Sequence, residues 1–219
     1  MTRPKPAKEK QRDRERTRAR ILMAARDVFA RDGFDGAAME SVAREAGVSK
    51  GLIYHYFDNR ELLFIEALEA EVTELRHRQA DLELRTLDPV AAVERLTVAT
   101  FDYFIENPRL ISLLNAENRL EGQFIRRSKV LLTAYDTLID ALEDILKRGR
   151  AERKFRDGIT PVALYLSIAG LCFHFSSNRY TLGAVFRRSF ADPEETRRRR
   201  AEIVEFVLHG IAAVPGQMS

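Results

Sequence analysis

Apolar residues recur at spacings of three and four along most of this chain. Ile21, Leu22, Ala25, Val28 and Phe29 form one stripe and predict an amphipathic helix over about 16–32, closed by Asp32-Gly33. Two short helices follow at about 38–46 and 49–57. A long one at about 60–86 carries Leu62, Leu63, Ile65, Leu68 and Val72, with Asn59 or Asp58 as its cap. Four dipeptides then repeat one device: Asp88-Pro89, Asn107-Pro108, Thr160-Pro161 and Asp192-Pro193. Each sets a capping side chain before a proline, whose missing N–H costs nothing at the first helical position. They predict helices at about 89–106, 108–117, 161–178 and 193–213. Another, at about 120–148, carries Phe124, Val130, Leu131, Tyr135, Leu138, Leu142 and Ile145 and closes at Gly149. Strand alternation is nearly absent. The pattern predicts an all-α chain of eight or nine helices, the first three a small N-terminal unit and the rest a C-terminal bundle.

The segment from Val42 to Phe57 carries the most chemistry. Ala46-Gly47-Val48 is the turn between two short helices, Gly47 being free to take positive φ so that they meet at a steep angle. Ser49 caps the second helix, and its hydroxyl can hold a backbone N–H or a phosphate. Ile53 and Phe57 are four apart and point to the core with Val42 and Val48, which leaves Lys50, Gly51, Tyr54 and His55 facing outward. Gly51 weakens the helix but lets a partner come close, and exposed Tyr54 and Tyr56 offer phenol hydroxyls to phosphates. A small, basic, aromatic helix face after a glycine turn is how a chain enters the DNA major groove.

Charge adds to this. The net charge is only +3, yet residues 1–63 hold 14 Lys/Arg against 10 Asp/Glu, and residues 1–20 hold 9 against 3. A basic arm beside a recognition helix fits a nucleic-acid binder. No apolar run approaches the roughly 20 residues needed to span a bilayer, the N-terminus lacks a signal-like apolar stretch, and there is one cysteine. A cytoplasmic chain that does not engage a membrane is expected.

The stretch from about Thr17 to Leu63 resembles the DNA-binding region of the tetracycline-repressor (TetR) family of transcriptional regulators. Ile21-Leu22, Ala24-Ala25, Phe29, Gly33-Phe34, Val42-Ala43, Ala46-Gly47-Val48-Ser49, Gly51, Tyr54, Phe57 and Glu61-Leu62-Leu63 carry the likeness. It implies that Ser49, Tyr54, Tyr56 and Arg60 hold phosphates, while Lys50, Gly51 and His55 face the groove. Ala37 and Ala38 depart from the family, which often has threonines there, so a cap and a phosphate contact are missing. Backbone N–H groups at the helix start can still serve an anion.

A recognition helix reads few base pairs, and a two-fold dimer doubles the site and makes it palindromic. The expected interface lies on the last two helices, through Leu164, Ile168, Leu171, Ile203, Val207, Leu208 and Ile211; the resemblance implies a four-helix bundle with the partner's copies. Between these regions, polar and aromatic residues interrupt apolar helices: Phe101, Phe104, Asn115, Asn118, Phe124, Tyr135, Tyr165, Phe173, His174 and Asn178. That mixture suits a ligand pocket, and the resemblance implies an effector cavity. Cys172 and His174 are too few for a metal site, and no cofactor is expected. Arg197 to Arg200 reads as a solvated helix face.

The expected organisation is a flexible basic arm at 1–15, a helix-turn-helix domain at 16–63 and an effector-binding, dimerising domain at 64–219. The expected function is a transcriptional regulator, a repressor that a small molecule releases from a palindromic operator. A TetR-like activator and a DNA-binding protein without an effector are the alternatives. No nucleophile–base pattern, phosphate-binding glycine loop or metal set points to an enzyme.

Overall fold

The computed structural model describes residues 7–213. Its elements are α1 (Ala7–Gly36), α2 (Met39–Ala46), α3 (Lys50–Tyr56), α4 (Arg60–Ala80), α5 (Pro89–Glu106), α6 (Pro108–Arg119), α7 (Lys129–Ala151), α8 (Pro161–Phe186) and α9 (Pro193–Ile211), with one 3₁₀ turn at Ile125–Arg127. The chain is all-α; among the described residues the only β pairing is an isolated bridge between Phe155 and Ala212.

Several boundaries differ from expectation for local reasons. Among the described residues α1 runs from Ala7, so residues 7–15 of the basic arm are helical; Gln11 donates to Glu15 one turn on, and Thr17 to the Asp13 carbonyl. The first six residues of that arm lie outside the described residues. At Gly33 the backbone leaves the helical region (φ 71°, ψ 179°), so the long helix closes at Asp32-Gly33 as read, and a further short turn reaches Gly36. The expected helix at 120–148 is broken: Glu121 and Gly122 both adopt positive φ, and α7 starts only at Lys129. Gly149 lies inside α7 and does not close it. The ring of Phe155 folds back over it so tightly that a Cβ there would stand 1.9 Å from Cδ2, so packing demands glycine.

Capping mostly follows the dipeptides. Asp88 accepts from Val90 N at 2.9 Å, Thr160 from Ala163 N at 3.1 Å and Asp192 from Glu194 N at 2.8 Å. Asn59 accepts from Leu62 N at 2.9 Å and starts α4. Asn107 differs: its Nδ2 donates to the Tyr103 carbonyl at 2.9 Å, closing α5 instead of opening α6.

The chain divides into two compact units. The first comprises residues up to Glu71 with Ser112–Lys129, and the second Val72–Ile111 with Val130–Ser219. The expected split at 63/64 followed chain order, whereas α6 from Ser112 on and the turn after it group with the DNA-binding helices. Four rings explain that grouping. Phe64 meets Phe29 and Phe124, each at 5.1 Å between centroids, and Phe34 lies 4.7 Å from Phe124. Buried Glu117 accepts from the N–H groups of Phe124 and Ile125, both at 2.8 Å, which fixes the turn that presents Phe124. Arg127 pairs with Glu61, and Ser128 donates to Glu69.

In the second unit α5 packs against α8 and α9, which also touch each other. Leu96, Phe101, Leu164, Ile168, Cys172, Phe175, Ile203, Val207 and Ile211 are buried there. Arg148 ties the turn at 81–87 to α7 by donating to the carbonyls of Leu87 and Leu84 at 2.6 and 3.0 Å.

Candidate nucleic-acid interface and effector site

Helices α2 and α3 form the helix-turn-helix. Gly47 caps α2 at φ 62°, ψ 42°, and its N–H returns to the carbonyls of Ala43 and Arg44, which turns the chain within three residues. Ser49 Oγ accepts from Leu52 N at 3.3 Å and starts α3. Ile53 and Phe57 are buried with Val42 and Ala46, while Val48 is half-buried. Arg18 of α1 lies over the Phe57 ring at 4.8 Å and pairs with Glu66, fastening the motif to α1 and α4.

The outward face is the expected one. Ser49, Lys50, Gly51, Tyr54 and His55 are exposed, and Tyr56 is half-buried with its ring perpendicular to His55 at 5.4 Å. A Cβ on Gly51 would meet nothing within 4 Å, so its smallness is not required by the chain's own packing. Ala38 starts α2 with no side-chain cap, as the missing threonine foreshadowed, and Ala37 is buried.

Two charged residues differ from the reading of the sequence. Lys50 Nζ lies 2.5 Å from Glu40 Oε1, and the hydrogen bond between them holds the Glu40 carboxyl below its usual range and Lys50 above its own. Glu40 was missed because the turn between α2 and α3, not sequence spacing, brings it to Lys50. Arg60, expected at a phosphate, instead lies over the Phe34 ring at 4.4 Å, with Nε and Nη2 shielded and without a hydrogen-bond partner. A flat, weakly hydrated guanidinium stacks well on an aromatic face, and Phe34 offers one beside the start of α4.

The expected pocket residues fall into both units. In the first, Phe124 is part of the ring cluster, Asn118 is exposed and Asn115 is half-buried. In the second, Phe101 stacks on Phe175 at 5.6 Å, Phe104 meets Phe173 at 5.9 Å, and Tyr135 meets Tyr165 edge to face at 5.8 Å. Asn178 donates to the His174 carbonyl one turn back. His174 is exposed and lines an open cleft of about 580 Å³ with Phe186, Arg188 and Phe190. Arg76 was missed; it lies over Tyr135 at 4.4 Å, and its position on the stripe with Val72, Leu75 and Gln79 was the available signal.

The expected dimer stripe is a correction. Leu164, Ile168, Ile203, Val207 and Ile211 are buried in the chain's own core, and Leu171 and Leu208 are half-buried. The same helices expose other apolar residues: Val162, Leu166, Val185 and Phe186 on α8, and Phe206 on α9, the last 68% exposed. Helix α8 is apolar on both faces, so periodicity alone does not say which face turns inward. The run Arg197–Arg200 is largely neutralised, Arg200 gripping Asp102 at 2.7 and 3.0 Å and Arg199 pairing with Glu202 at 3.2 Å. No helix of the described residues is long and apolar enough to cross a membrane.

Comparison with known proteins agrees with this architecture. Residues 21–67 match the family described as bacterial regulatory proteins, tetR family, and residues 89–207 match the tetracyclin repressor-like C-terminal domain. The chain is 33% identical over 191 residues to the HTH-type transcriptional repressor NicS of Pseudomonas putida, covering 87% of this chain and 90% of that one. It is 32% identical over 149 residues to the HTH-type transcriptional activator FasR of Mycolicibacterium smegmatis, covering 66% of this chain and 65% of that one. A crystal structure of a transcriptional regulator, SCO4942 of Streptomyces coelicolor, superposes with a TM-score of 0.68 at 27% identity, covering 90% of this chain and 99% of that one. A glycine-turned helix pair with an exposed basic and aromatic face, joined to a matching C-terminal domain, makes this chain a member of the TetR family of transcriptional regulators.

Proposed function

We propose that the chain represses transcription as a homodimer on a palindromic DNA site and that a small molecule held by the second unit releases it. The exposed face of α3 carries this reading. Ser49, Tyr54 and Tyr56 anchor phosphates, and Lys50, Gly51 and His55 face base edges. Lys50 exchanges Glu40 for the DNA when it binds, so Glu40 disfavours sites that give Lys50 no acceptor. Exposed Val162 and Leu166, one turn apart on α8, and Phe206 on α9 supply the apolar surface for the partner, replacing the buried stripe. The effector site draws on Phe104, Tyr135, Tyr165 and Phe173, and the effector acts through different affinities for DNA-bound and free states. The protein works in the cytoplasm, by binding and not by catalysis. Repression is favoured because the repressor relative covers more of both chains than the activator does.

Selection of duplexes from a random library by the full chain, followed by a promoter–reporter assay with the selected site, tests the reading. Recovery of an inverted repeat that lowers reporter output supports it. Raised output identifies an activator, and recovery of no shared sequence overturns the assignment of the α3 face.

A further inference from the structure

One cation inside the second unit has no anion to answer it. Nη1 of Arg76, on α4, donates to Gln79 Oε1 at 2.6 Å; Gln79 Nε2 donates to Thr100 Oγ1 at 2.9 Å, and Thr100 gives its own proton to the Leu96 carbonyl. Gln79 and Thr100 are both buried. The guanidinium carbon lies 4.4 Å from the Tyr135 ring centre and 5.8 Å from that of Tyr165. Nε is shut off from solvent without an acceptor, and Arg76 makes no ion pair among the described residues. Arg26 and Arg200 are different, for each grips a carboxylate, Glu71 and Asp102. Arg60 and Arg179 also leave Nε unbonded, but each lies against a single ring and neither joins a buried chain of hydrogen bonds.

Arg76 is half-buried, and shutting its Nε from water without an acceptor is costly, so a fold that keeps it there holds it for a ligand or at the expense of stability. With Nη1 committed to Gln79, Nε is the nitrogen left without a partner, on a planar guanidinium whose geometry suits carboxylate oxygens. Tyr135 and Tyr165 cross at 82° beside it, offering ring faces for a flat or apolar body and hydroxyls for an oxygen. The Tyr165 hydroxyl is protonated at neutral pH, as any phenol is, and burial pushes it further up.

We propose that Arg76, with Tyr135 and Tyr165, is the anion-binding element of the effector site, and that the effector is a small organic carboxylate with a flat or apolar body. This rests on the reading of the chain as a ligand-responsive regulator. The fork sets the charge and geometry of the effector's head group, and the crossed rings set the shape of its body.

Benzoate and hexanoate, with benzamide and hexanamide as neutral counterparts, are titrated into the full chain up to about 10 mM, a range that reveals millimolar binding. Melting temperature and tyrosine fluorescence are read, the latter clean because the chain has six tyrosines and no tryptophan. At least one carboxylate is expected to raise the melting temperature and bind at least tenfold more tightly than its amide. Arg76→Met should abolish that preference while melting at or above the ligand-free wild type, because an unanswered charge has been removed. Arg76→Lys, which keeps the charge and loses the fork, should bind the carboxylate at least tenfold more weakly than wild type. Three results each overturn the proposal: amide bound as well as acid, neither acid bound, or Arg76→Met binding the acid undiminished. A Met variant that melts well below wild type marks Arg76 as structural and also overturns it. Binding to a library-selected duplex separates the two levels. A wild type that selects no duplex fails the regulator reading itself, whereas one that a neutral compound releases fails only the carboxylate.

Discussion

The first unit displays the side chains read as its working surface; the second hides those read as its partner surface. On α3, Ser49, Lys50, Gly51, Tyr54 and His55 are exposed, and Ile53 behind them is buried. On α8 and α9, Leu164, Ile168, Ile203, Val207 and Ile211 are inside, and Val162, Leu166 and Phe206 are outside. The difference lies in the helices. Helix α3 is seven residues long with one apolar side, so pattern alone orients it. Helix α8 is apolar all round, and only its packing against α5 and α9 decides which side is core.

The sharpest break of this comparison is in the ring cluster. Phe124→Ala removes a buried ring between Phe34 and Phe64 and should cost about 3–5 kcal/mol, read as a fall in the urea midpoint. Next is Ile168→Ala, which should cost about 2–5 kcal/mol if this residue is core; an unchanged midpoint with loss of the dimer would return the buried stripe to the interface. Phe206→Asp should leave unfolding nearly untouched but give a monomer in sedimentation, and DNA affinity should fall on the order of 100-fold as two-site binding is lost. Smaller again is Tyr54→Phe, which should weaken binding to every duplex by roughly five- to tenfold without changing site preference. At the bottom of the scale, Cys172 should resist iodoacetamide at pH 8. Burial pushes its thiol up to about 12, so almost no thiolate forms until urea opens the second unit.

Legibility tracked how local each signal is. The capping pairs Asp88-Pro89, Thr160-Pro161 and Asp192-Pro193 act within three residues, and all three cap as read. Asn107-Pro108 looks the same in sequence, but the side chain turns back to Tyr103. The break at Glu121-Gly122 was hidden because both flanks are helical in pattern, and the buried Glu117 that fixes it binds N–H groups seven and eight residues on. Lys50 was legible as an exposed residue of α3, but its partner Glu40 lies ten positions away across a turn.

Sequence by itself determined the helical class, the glycine turn, the serine cap and the inward and outward faces of α3, because each depends on residues within one or two helical turns. Tertiary structure alone decided that α6 from Ser112 on and the turn after it belong with the DNA-binding helices, that Arg60 stacks on Phe34, that Arg76 meets two tyrosines, and which side of α8 is core. Those outcomes depend on what stands opposite a side chain in space, and a helix apolar on both sides, or an arginine that can stack as readily as pair, carries no mark of its neighbour.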